Sequence, residues 1–316
     1  MNDIQQQNSQ AVEQHSSYVF PSDTVTKIVT YDDRYPWDVL KWIKYNAPPR
    51  QSLKLMKVCK YFKHKNFPFF TVRKIENINH NVWEYWTLDG KKYEVDGLEN
   101  LPNNLWITKK IRLYRCLDLP TLFRKITVCD IKYLILHDCS PTILFQDFKL
   151  LTSSGNVEEF ALYGSVVKYE NGDAVPFEAI LECLPSIVSM TLNIDFPPIY
   201  SMEAANAAVS KAWKYFEFTT NFEMSHFGTF ATFMIQNQQI EYFLSFEYSP
   251  REEGYPEVSQ EYVDKIEGLI VEIIKNWSPQ NSPPLINFTE QLRDSYEALN
   301  NLHHLHFVYR TTTSTK

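Results

Sequence analysis

Glycine is scarce in this chain, 8 among 316 residues, which argues against glycine-rich linkers and against the glycine loops that cradle phosphates. There is no Gly-x-Ser-x-Gly, no Gly-x-Gly-x-x-Gly, no Gly-x-x-x-x-Gly-Lys-Ser/Thr and no His-Glu-x-x-His. The usual grounds for proposing a hydrolase, a nucleotide enzyme or a metalloprotease are therefore missing. Cysteine is also sparse and odd in number, 5 in all at 59, 116, 129, 139 and 183. Without a Cys-x-x-Cys pair these read neither as a zinc site nor as a disulfide framework, and a reducing compartment fits. No apolar run approaches the roughly 20 residues that span a bilayer. Met1 to Gln7 carries neither the basic nor the apolar segment of a secretory signal. The expectation is a soluble intracellular protein of the cytoplasm or nucleus, with no membrane partner; the sequon at Asn287 is then coincidental.

Aromatic and charged residues are plentiful by contrast. Phe, Tyr and Trp make 15% of the chain and hydrophobic residues 44%, enough for a sizeable core and for surfaces that bind by contact area. The net charge of -7 hides an uneven distribution: residues 34–74 hold 11 Lys and Arg against the single acid Asp38. The remaining residues hold 20 basic and 37 acidic side chains, a balance of -17. A block like this steers an acidic protein partner or binds nucleic acid. The acidic remainder disfavours nucleic acid.

Residues 1–30, rich in Gln, Ser and Asn, read as a disordered tail. From 33 to 70 the apolar positions have helical spacing. Val39, Leu40 and Ile43 form one face, while Leu53, Leu55, Met56, Val58, Cys59 and Phe62 form another, separated by Pro48-Pro49. Residues 71–105 read as a linker with a β-hairpin, since Val82–Leu88 and Lys92–Val95 flank Asp89-Gly90.

A repeat decides the fold class beyond that point. Ile131, Leu134, Leu136 and Cys139 have the spacing LxxLxLxxC of a leucine-rich-repeat strand. The register recurs at Thr108, Ile111, Leu113, Cys116; at Val157, Phe160, Leu162, Ser165; at Ile187, Met190, Leu192, Asp195; and at Trp213, Phe216, Phe218, Asn221. Successive ninth positions stand 23, 26, 30 and 26 residues apart. Helical candidates lie between them at 119–126, 143–151, 176–184 and 202–213. The expectation is an α/β fold: a helical module, then a leucine-rich-repeat-like solenoid over 106–277 with a parallel sheet and outer helices. A linker and cap follow over 278–309 (a strand at Leu285–Phe288, a helix at 291–302), then a disordered tail over 310–316.

Alternation along each strand assigns the other side chains to an open face. Arg112, Tyr114, Tyr133, Ile135, His137, Glu159, Tyr163, Thr191, Tyr215 and Glu217 are the candidate client-binding residues there. No catalytic residue, cofactor or metal site is expected. The one histidine cluster, His303-His304-Leu305-His306, has no nearby cysteines or carboxylates to complete a metal shell.

The order Tyr35-Pro36, Asp38, Val39-Leu40, Ile43, Pro49, Leu53, Leu55, Val58-Cys59-Lys60 and Phe62 resembles an F-box. Joined to degenerate leucine-rich repeats, it is similar to the divergent F-box families of nematodes. The resemblance covers residues 33–70 and departs at Lys44, Ala47 and Lys57, where larger apolar groups are usual. It implies a non-catalytic substrate receptor of an SCF-type cullin-RING ubiquitin ligase. Pro36, Val39, Leu40, Ile43, Leu53, Leu55, Val58, Cys59 and Phe62 would dock on a Skp-type adaptor, and the repeats would hold a client protein. The alternative is an interaction scaffold with no ligase, whose helical module only caps the solenoid.

Overall fold

The computed structural model describes residues 37–47, 51–52, 54–55, 69–77, 79, 81–116, 118–139, 142–194, 197–220, 227–246, 260–288 and 293–313. The expected tail over 1–30 lies outside the described residues, as do Pro36, Leu53, Val58, Cys59, Phe62, Asp195 and Asn221. The chain divides into two compact units. One runs up to Phe69 and includes the turn Thr87–Lys91; the other comprises Phe70–Trp86 and Lys92 onward.

In the first unit, helix α1 spans Trp37–Asn46. Asp38 in its first turn and Lys44 in its last complement the helix dipole. Ala47 N donates to Ile43 O (2.8 Å), and the Ser52 hydroxyl donates to Ala47 O (3.0 Å), tying the next helical residues to the end of α1. The hairpin turn is wider than a two-residue Asp-Gly turn. Gly90 N donates to Thr87 O and Thr87 N to Lys91 O (3.0 Å each), with Gly90 at φ 87 as the residue that needs left-handed backbone.

The second unit is mixed α/β, built on one large, mostly parallel sheet. Its strands are β1 (Phe70–Asn77), β2 (Val82–Thr87), β3 (Lys92–Asp96), β4 (Leu105–Tyr114), β5 (Ile126–Cys129) and β6 (Tyr133–His137). They continue with β8 (Glu159–Tyr163), β10 (Ser189–Asn193), β11 (Tyr215–Thr220), β12 (Glu241–Phe246) and β13 (Leu285–Phe288), while β7 (Thr142–Leu144) and β9 (Val166–Lys168) pair separately. The sheet order is β13-β12-β11-β10-β8-β6-β4-β1-β2-β3, with β5 beside β4. From β4 to β13 every pair is parallel; β2 and β3 are antiparallel. The segment 71–105 is thus no free linker: it supplies three strands and the start of a fourth.

Helices alternate with the strands: α2 (Leu119–Lys125), α3 (Phe145–Thr152), α4 (Phe177–Glu182), α5 (Met202–Ala208), α6 (Phe227–Gln236), α7 (Gln260–Asn276) and α8 (Arg293–Thr313). Each of the last five packs on the next, α4 on α5 through α7 on α8. Helix α8 continues four residues past 309, where the sequence reading ends the cap. Along the sheet from β4 to β12 each strand pairs with its neighbour without a register shift, and one hydrogen bond recurs where the strands start. Lys132 N donates to Lys109 O (2.8 Å), Glu158 N to Lys132 O (2.8 Å), Val188 N to Glu158 O (2.8 Å), Lys214 N to Val188 O (2.9 Å) and Glu241 N to Lys214 O (2.8 Å).

Strand ends repeat as well. Arg115, Asp138 and Gly164 follow β4, β6 and β8 with φ of 49, 46 and 66, and their amides donate to His137 O, Tyr163 O and Asn193 O. The left-handed residue swings the chain off the strand, and the small residue after it, Cys116, Cys139 or Ser165, drops into the core. Cys139 Sγ donates to Leu113 O (3.7 Å), satisfying a strand carbonyl at the bend.

One core runs the length of this unit. Strand positions such as Ile111, Leu113, Leu134, Leu136, Phe160, Leu162, Met190, Leu192, Phe216 and Phe218 are all buried against it. Helices contribute the facing layer, with Val263, Ile266, Ile270 and Ile273 buried along α7 at helical spacing. Phe177 meets Phe233 edge to face at 5.6 Å and Phe216 at 6.2 Å. Trp213, a bulky occupant of a repeat's first position, is buried there and donates its indole N–H to Tyr215 O (2.9 Å). Thr108, the weakest first-position residue, instead bonds across to Val72 O on β1 (3.1 Å).

Candidate functional site

Two surfaces were expected to bind partners, and each lies within one unit. On α1, Leu40 and Ile43 are half-buried and Leu55 likewise. Val39 is 43% exposed and Trp42 65% exposed, so the apolar groups α1 offers to solvent are one helical turn apart. Trp42 was not among the adaptor candidates, although it stands three residues from Val39, one turn along the helix.

On the second unit the strand register brings all ten client candidates onto one face in three rows. The first row reads Tyr114, His137, Tyr163, Asn193, Thr219 across β4, β6, β8, β10 and β11. The middle row reads Arg112, Ile135, Ala161, Thr191, Glu217, and the third Lys110, Tyr133, Glu159, Ser189, Tyr215. Parallel pairing without slippage makes this possible, because a one-residue shift would exchange the two faces.

The rings of the first row are in contact: Tyr114 meets His137 tilted at 5.0 Å, and His137 stacks on Tyr163 at 4.9 Å. The Arg112 guanidinium lies 4.8 Å from the centre of the Tyr114 ring and donates from Nη2 to its hydroxyl. Such a cation–aromatic contact holds the guanidinium flat on the face. At the other end the Glu217 carboxylate accepts from the Thr191 and Tyr215 hydroxyls (3.4 Å each). Burial, then the charge of Glu217, pushes the Tyr163 and Tyr215 hydroxyls above their usual range. Ala161, 6% exposed, is the smallest and the one buried side chain of the middle row from β4 to β11.

Strand β1 extends this face beyond the expected limits. Lys74 pairs with Lys110 in register and Glu76 with Arg112. Glu76 bridges Lys74 (2.7 Å) and Lys110 (3.5 Å), while Lys74 Nζ sits 4.0 Å from the Trp86 ring centre. These residues escape pattern reading because a register shift between Val72 and Lys74 breaks the two-residue alternation of β1.

The described residues contain no group of three His, Cys, Asp or Glu side chains arranged to hold a metal ion. His306 Nδ1 lies 3.0 Å from Pro279 O, a contact that ties α8 to the preceding loop. No described helix is long and apolar enough to cross a membrane. Buried Cys116, Cys129 and Cys139 have thiols pushed well above the usual value by desolvation, the opposite of an activated nucleophile. No protein-family model matches this chain, and no curated protein matches it. The class its fold and site define is an α/β protein with a long, ordered, half-exposed sheet face.

Proposed function

We propose that this protein is a non-catalytic substrate receptor of an SCF-type cullin-RING ubiquitin ligase. Its helical module at residues 33–70 is an F-box-like adaptor-docking element, and the large sheet with its stacked helices is a leucine-rich-repeat-like solenoid that holds a client. The mechanism is proximity: a client held beside the ligase's ubiquitin donor reacts without catalytic groups from this chain. The observation that carries the reading is the in-register face of β4 to β11, with three rows of Arg, Tyr, His and Glu side chains. Of these, Arg and Tyr are favoured in protein interfaces. The exposed pair Val39 and Trp42 supports adaptor docking, since burying a large apolar side chain contributes about 1.5–3 kcal/mol before ordering costs.

Co-expression with a Skp-type adaptor, followed by size-exclusion chromatography, tests the reading. The full chain is expected to co-elute with the adaptor, and Trp42→Asp or Leu40→Glu to lose it while the circular dichroism of the sheet is unchanged. A wild-type chain that never co-elutes overturns the ligase role and leaves an interaction scaffold.

A further inference from the structure

The open face has a polarity along its middle row. Within its β4–β11 stretch the two charged residues are Arg112 and Glu217, and neither makes an ion pair among the described residues; Glu76, the β1 neighbour of Arg112, is engaged by both Lys74 and Lys110. Among the described residues the side chains of the two meet neutral groups: Arg112 the Tyr114 hydroxyl, Glu217 the hydroxyls of Thr191 and Tyr215. Between them lie Ile135, Ala161 and Thr191, a neutral stretch most buried at Ala161. From β4 to β11 there are four strand spacings, about 19 Å at ~4.8 Å each. An extended chain rises ~3.3 Å per residue, so about six residues cover that distance. Six is even, and in an extended chain residues i and i+6 project to the same side.

We propose that this face binds an extended polypeptide segment crossing the strands, with an acidic residue over Arg112 and a basic residue six positions away over Glu217. Small or apolar side chains at the two intervening same-side positions rest on Ile135, Ala161 and Thr191. This rests on the reading of that face as the client surface and names the chemistry of the client segment. Each unpaired charge then gains an opposite charge in a site partly screened from water, and the contiguous Tyr114, His137 and Tyr163 rings wall one side of the track.

Selection of a displayed library of random nonapeptides on the immobilised full chain tests the inference. The expected winners carry one acidic and one basic residue six positions apart. The same selection on Arg112→Glu should turn the acidic member basic, and on Glu217→Arg should turn the basic member acidic. The best wild-type winner, labelled and titrated by fluorescence anisotropy, should bind Arg112→Glu at least tenfold more weakly. Failure to enrich any peptide, winners without the six-residue charge spacing, or winners unchanged by both variants would each overturn the proposal. Adaptor co-elution is measured on the same three preparations. Retained adaptor binding with a failed selection sinks this inference alone, whereas lost adaptor binding with a successful selection sinks only the ligase role.

Discussion

Gly164 occupies a position that only glycine fits without strain. Its φ is 66, and a Cβ built there would stand 2.2 Å from Asp138 Oδ1. Gly164→Ala is expected to cost about 1–2 kcal/mol from backbone conformation alone, and more where the Asp138 carboxylate must move. Urea denaturation checks this, and the loss should shrink when measured in an Asp138→Ala background. At the equivalent bends of β4 and β6, the buried thiols that follow Arg115 and Asp138 make a pH prediction. Desolvation raises Cys116 to about 12 and Cys139 to about 11 from a usual 9.0. The folded state therefore keeps protons that the unfolded chain releases above pH 9. Stability should be intact below pH 9 and fall as pH climbs toward 11 to 12. The fall should be shallower in a Cys116→Ala/Cys139→Ala variant, read from urea midpoints at pH 8 and 10.5.

Elements in this fold are held by polar groups as well as by the core. The buried Glu178 carboxylate on α4 accepts from Tyr200 N (3.2 Å) and Ser201 N (3.0 Å), fixing the loop that starts α5. Ser201 in turn caps α5 by accepting from Ala204 N (3.2 Å). Glu178→Ala leaves two partly buried amides unpaired and is expected to cost about 1–3 kcal/mol, with faster hydrogen exchange confined to residues 199–208. The strand expected at Leu285–Phe288 is β13 with the same bounds. Periodicity places β6, β8, β10 and β11 from three apolar positions each and a small or polar ninth residue. It does not reveal β1, where the register shift scrambles the alternation, nor the short β7 and β9, whose three residues carry no period. Glu178 is equally silent in the sequence, since a carboxylate on an amphipathic helix ordinarily faces water.

Across the whole molecule, the second unit has one continuous core, so its repeats stand or fall with their neighbours. Phe216 is fully buried and touches aromatic rings from both layers. Phe216→Ala is expected to cost about 3–5 kcal/mol and to lower exchange protection in β10, β11 and β12 before β4. Equal loss in every strand would mean that the unit unfolds as a single block. The amino-acid order alone determined where β6, β8, β10, β11 and β13 lie and which side of the repeat strands is apolar, since alternation and helical spacing are local properties of the chain. Tertiary structure decided that β1 to β3 join the sheet, that Arg115, Asp138 and Gly164 turn the chain at equivalent places, and that Arg112 and Glu217 share one row. Those depend on register between segments far apart in sequence, which parallel pairing fixes and no local pattern encodes.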